Sequence, residues 1–123
     1  MRIKYQLERD VFDLTKLLVR RYYNLKYEHE AVLEASPPPP DGQPRGKGTG
    51  KGDVERKAIR LAEIDRQIDA IERAQKIIPS EYMPGVWEHI VEKRRFPDFA
   101  DRGTWYYYQR KYLFFVATEM FWI

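Results

Sequence analysis

Apolar residues recur every seven positions at the start of the chain, at Val11, Leu18, Leu25 and Val32, with Leu14 and Leu17 beside them. Seven-residue spacing lays one apolar seam along a helix and leaves it in need of a partner. The pattern predicts one long N-terminal helix from about residue 7 to 35 within a first segment, 1–35. A second pattern, Leu61, Ile64, Ile68, Ile71, Gln75 and Ile78, steps by three and four. It predicts a helix over 53–78, with Asp53 as N-cap and Pro79 as its stop. Both helices come to roughly 40 Å, so an antiparallel helical hairpin closes the seams most simply. Coiled-coil dimerisation through the same seams is the rival closure, and the pattern does not choose between them.

Ser36 and the run Pro37-Pro38-Pro39-Pro40 end the first helix, because proline lacks the amide donor and restricts the residue before it. The stretch beyond the prolines, Asp41-Gly42-Gln43-Pro44-Arg45-Gly46-Lys47-Gly48-Thr49-Gly50-Lys51-Gly52, has too few apolar groups to offset ordering entropy. Residues 36–52 are therefore expected to form a flexible linker.

Residues 79–123 have a different texture. Pro84 suits the first position of a short helix carrying Val86, Trp87, Ile90 and Val91 on one face. Phe96-Pro97-Asp98-Phe99-Ala100-Asp101-Arg102-Gly103 marks a tight connection, and Thr104 is the expected cap of the last helix. That helix turns Trp105, Tyr108, Tyr112, Phe115, Val116 and Met120 inward at helical spacing. Tyr106, Tyr107, Gln109, Arg110 and Lys111 are expected on its outer face, with Arg102 just before it. The predicted fold class is all-α: a long helical hairpin plus a C-terminal helix-turn-helix-like unit.

Composition narrows the chemistry. Without cysteine there are no disulfides, thiolate metal sites or cysteine nucleophiles. No apolar run is long enough for a signal peptide or a membrane span, so the expected place is the cytoplasm, with no membrane partner. Net charge is only +3, and an affinity for polyanions must rest on clustering. Six basic residues against three acidic ones between Glu92 and Lys111 supply a modest cluster.

Double-stranded DNA is the partner this cluster suits. Arg102, Tyr106, Gln109 and Arg110 stand where the first turns of a recognition helix present side chains, and Arg and Gln match the paired groups of guanine and adenine. Lys93, Arg94, Arg95 and Lys111 are candidate phosphate contacts, and Thr104 and Tyr107 complete the DNA-binding set. The competing interpretation is an ordinary solvated helix face. The glycine-rich stretch around Gly50-Lys51-Gly52 fails the phosphate-loop pattern, which needs Ser or Thr after the lysine and a preceding strand. His29 and His89 lack a ligand frame for a metal, and Ser36 and Ser80 lie at helix boundaries, so neither a cofactor nor catalysis is expected.

An N-terminal helix, then the stretch from Ser36 to Gly48, then Lys57-Ala58-Ile59-Arg60-Leu61 opening the second helix is an order of parts that resembles phage and prophage transcriptional regulators of the RinA/ArpU-like kind. Pro79-Ser80-Glu81-Tyr82, Gly85-Val86-Trp87, Phe96-Pro97, Ala100 and Thr104-Trp105 look like their shortened sigma-factor region 4 helix-turn-helix, so the similarity runs from about residue 26 to the end. It implies a sequence-specific regulator of phage genes in a bacterial host cell, with the helix from Thr104 as DNA reader. The short connection between the last two helices departs from a full three-helix unit. RNA polymerase and further copies of the chain are the other partners considered. The rival function is a helical phage assembly or adaptor protein, for example a small packaging subunit, using Tyr106, Tyr107, Phe114, Phe121 and Trp122 as a protein interface. Single-stranded nucleic acid, favoured by exposed tyrosines, is a third.

Overall fold

The seven-residue seam is carried by two helices rather than one. The computed structural model describes residues 4–34 and 49–123. Helix α1 spans Arg9–Arg20 and α2 spans Tyr22–Glu34; then come α3 (Thr49–Gln75), α4 (Met83–Val91) and α5 (Arg102–Glu119), with no strand among the described residues.

The long helix expected over 7–35 breaks at Arg21, whose amide bonds Leu18 O at 3.0 Å in place of an α-helical partner. Val19-Arg20-Arg21-Tyr22 contains no proline or glycine, so the cause is packing. On one side of the break α1 lies against α4 and α5, and on the other α2 lies against α3. Arg20 holds the corner by donating from Nε to Ile90 O at 2.9 Å, satisfying a carbonyl in the last turn of α4.

Helix α3 begins at Thr49, four residues before the expected Asp53, so 49–52 belong to a helix and not to the linker. The rest of the expected linker, 36–48, lies outside the described residues. At the other end, Lys76 and Ile77 bond back to Arg73 and Ala74 in a tightened last turn before Pro79.

Helices α2 and α3 run antiparallel, tied by Tyr22 to Glu72 (2.6 Å), His29 to Asp65 (2.9 Å) and Arg60 to Glu28. Helix α5 runs antiparallel to α3: the Tyr112 hydroxyl donates to Ile71 O at 3.1 Å, and Arg66 donates to Met120 O at 3.2 Å. Leu18 and Leu25 of the seam are buried, and join Ile64, Ile71, Val86, Ile90, Leu113 and Val116 in one core. Leu14 and Leu17 beside the first seam stay 50% and 55% exposed, whereas Leu18, Leu25, Ile64 and Ile71 are covered within one chain. Each such aliphatic side chain contributes about 1.5–3 kcal/mol by leaving water.

The pairing of α4 with α5 depends on a glycine. Gly85 is buried, and a Cβ there would lie 2.6 Å and 2.7 Å from Cη2 and Cζ3 of Trp105. Only a residue without a side chain lets α4 approach the indole so closely.

Candidate nucleic-acid interface

The connection from α4 to α5, residues 92–101, decides which side chains α5 presents. Helix α4 stops at Lys93, a non-glycine residue in the left-handed region (φ 58°), and the following Arg94 amide reaches back to Glu88 O at 3.1 Å. Beyond it the connection is pinned by an aromatic stack. Phe96 lies between the His89 ring (3.8 Å, 20° between planes) and the Trp105 indole (5.4 Å, 6°), with Tyr106 edge-on at 5.3 Å. Trp105 Nε1 donates to Pro97 O at 3.0 Å. His89 Nδ1 lies 2.8 Å from Arg94 O, and since a carbonyl only accepts, Nδ1 is the donor.

Helix α5 is capped three residues earlier than expected. Asp101, and not Thr104, is the N-cap: its carboxylate accepts from the Thr104 amide at 3.0 Å and from the Thr104 hydroxyl at 2.6 Å. Those bonds, the hydroxyl's first, hold the Asp101 carboxyl below its ordinary value. Thr104 is therefore occupied with the cap, and Arg102 is the first residue of the helix.

This geometry gathers some of the expected site residues and separates others. Arg95, Arg102 and Tyr106 line one cleft of about 680 Å³ together with His89, Phe96 and Asp98. Two arginines against one carboxylate give it mixed charge. Lys93, Arg95 and Arg102 are exposed with no ion-pair partner among the described residues, whereas Arg94 is paired with Glu92 at 3.1 Å. Gly103 beside them is also exposed, its nearest neighbour an Asp101 oxygen 4.0 Å from where a Cβ would be. Tyr106 is 45% exposed.

Gln109 is a correction. Expected outside, it is 4% exposed, and its Oε1 is buried without a hydrogen-bond partner among the described residues. It lies one turn from both Trp105 and Leu113 on the buried side of α5, where no base edge can reach it. Arg110 is half-buried with Nε similarly covered.

Tyr107 and Lys111 form a second group, on the stripe of α5 that the N-terminal segment partly covers. Tyr5 packs edge-on against Tyr107 (6.0 Å) and Phe114 (5.4 Å), and Lys111 Nζ lies over the rings of Tyr5 (5.6 Å) and Tyr107 (6.0 Å). Sequence reasoning missed Tyr5 and His89 as parts of this surface. The one available signal for Tyr5 was an aromatic two residues before the apolar Leu7, which is buried.

Among the described residues, no helix is long and apolar enough to cross a membrane, and no three His, Asp or Glu side chains are grouped to hold a metal ion. Compared with protein-family models, with curated proteins and with solved structures, the chain matches none.

Proposed function

We infer that this chain is a sequence-specific DNA-binding regulator of phage or prophage transcription, with α4, residues 92–101 and α5 acting as a helix-turn-helix-like unit. The observation that carries the reading is the exposed start of α5: Arg102, Gly103 and Tyr106 are open to solvent there, and Arg95 shares a cleft with Arg102 and Tyr106. The small Gly103 lets backbone approach a groove floor beside the Asp101 cap. Arg102 and Tyr106 are the proposed base-edge contacts, with Arg110 at the margin; Lys93, Arg94 and Arg95 hold phosphates. Gln109 drops out of the reader, and Thr104 acts through the cap. Lys111 and Tyr107 reach DNA only at the edge that Tyr5 leaves open. A homo-oligomer would set two such helices on half-sites one helical turn apart. Contact with RNA polymerase belongs to the same reading.

The test is fluorescence anisotropy with tiled duplexes from the genome segment that encodes the chain, against scrambled duplexes, at two salt concentrations. One tile should bind about 10³-fold tighter than scrambled DNA and keep a preference in high salt. Equal, weak binding across tiles that salt abolishes defeats it.

A helical assembly or adaptor protein is the second reading. It is favoured by Phe121, 81% exposed in the left-handed region, and by Ile123, 53% exposed, at the end of the chain. Under that reading Phe121→Ala removes an oligomer or partner complex and leaves any DNA affinity unchanged.

A further inference from the structure

The cleft where the start of α2 meets the end of α3 and the start of α4 holds about 940 Å³, within the size range of ligand pockets. Its walls are already set. The amides of Tyr82 and Met83 both bond Pro79 O, at 2.9 and 3.0 Å, and those of Lys76 and Ile77 close the end of α3. One corner of the cleft is aromatic. Tyr22, Tyr23 and Trp87 pack edge to face in all three pairings, with centroids 5.2, 5.1 and 6.1 Å apart. The planes of Tyr23 and Trp87 stand 86° apart, and Tyr23 is exposed. A flat ring stacked on Tyr23 is therefore perpendicular to the indole, which gives it both of the arrangements that aromatic pairs prefer; a saturated ring gains neither.

The polar groups of this corner are donors in want of an acceptor. Tyr22 gives its hydroxyl proton to Glu72 at 2.6 Å, whereas the Tyr23 oxygen accepts from Trp87 Nε1 at 3.3 Å and keeps its own O–H to donate. Lys26 and Lys76 also line the cleft and are exposed. Lys26 is 3.8 Å from Glu72, and Lys76 has no ion-pair partner among the described residues. No carboxylate of the described residues lines the cleft itself, so the two ammonium groups, set against Glu72 behind them, leave a surplus of one positive charge.

We propose that this cleft binds a small aromatic monocarboxylate, its ring in the corner of Tyr23 and Trp87 and its carboxylate on the Lys76 ammonium, with Lys26 beside it. The charge count selects the class. A neutral aromatic leaves the surplus unanswered, and a phosphomonoester brings about two negative charges to a surplus of one. The cleft shares no residue with the one at the start of α5, so the proposal stands apart from the DNA reading.

The test follows the indole N–H resonance of Trp87 in the full-length chain, assigned through Trp87→Phe, while naphthoate is titrated in. Neutral naphthamide, saturated decalin carboxylate and naphthyl phosphate are the comparison probes. Saturable movement of Trp87 is expected with naphthoate, several-fold tighter than with any other probe, while the resonances of Trp105 and Trp122 stay in place. Lys76→Gln should bring naphthoate down toward the affinity of naphthamide, and Tyr23→Ala should abolish the response; unchanged Trp105 and Trp122 resonances report that both variants are folded. An unmoved Trp87, equal or tighter binding of any comparison probe, or binding indifferent to Tyr23→Ala or Lys76→Gln each overturns the proposal. So does a Trp87 resonance that moves with protein concentration alone, which would assign the cleft to a second copy of the chain. Duplex binding at the start of α5 uses none of these residues and is judged by its own titration.

Discussion

Gln109 sits on the buried side of α5, and the reason lies in its neighbours. Tyr106-Tyr107-Tyr108 supplies aromatic character on three successive sides of the helix, so apolarity alone does not tell which side is inward. Packing decides: Trp105 and Leu113, one turn either way, are buried and carry Gln109 with them. Its buried Oε1 has lost water without gaining a donor among the described residues. Gln109→Met keeps the volume and removes that penalty, so stability should be unchanged or rise by up to about 1 kcal/mol in urea titration. Duplex affinity should be unaltered; a tenfold loss would return the carboxamide to the DNA. Asp101 offers a second check. Because Thr104 holds its folded carboxyl below the ordinary value of 3.8, its stabilisation is complete above that value and is lost as pH falls through the lower folded one. Asp101→Asn keeps a cap oxygen but has no carboxyl to titrate. Thermal midpoints of wild type and variant should differ at neutral pH and converge as pH falls below 3.8. A gap that stays constant over that range contradicts the role given to the carboxylate.

At the scale of elements, helices with a regular step were legible and their interruptions were not. The three- and four-residue spacing of Leu61 to Ile71 lies within α3, and Pro84 stands in the first turn of α4 as expected. The break at Arg21 had no local signal, since no residue there resists helix; it arises because α1 and α2 are held by different partners. The same holds for the candidate interface. Arg95, Arg102 and Tyr106 were legible as residue types, but their meeting in one cleft depends on Phe96 stacking between His89 and Trp105, a contact that sequence spacing does not encode. The approach of α4 to Trp105 through Gly85 fixes that stack. Gly85→Ala should therefore destabilise the chain by about 2 kcal/mol through overpacking and lower duplex affinity with it, read from a denaturant midpoint and an anisotropy titration. A variant as stable as wild type would mean that the indole has room to move.

For the whole molecule, the division of labour is set by what each helix covers. α3 and α5 bury the shared core, α1 and α2 wrap it from two directions, and the first turn of α5 with residues 92–101 is left open to solvent. The central positions of the seams, Leu18, Leu25, Ile64 and Ile71, are buried inside one chain, while Leu14 and Leu17 remain exposed on α1. Net charge is only +3, so under the proposed reading recognition falls to the few cations at that open end. The most direct measurement is the ratio of affinities for the preferred and scrambled duplexes, compared between wild type and Arg102→Ala. Arg102 is exposed, so its removal leaves the fold intact by circular dichroism, and loss of one paired base contact should lower the ratio about tenfold. A ratio unchanged by Arg102→Ala, with both affinities falling together or not at all, would contradict the claim that the start of α5 reads DNA.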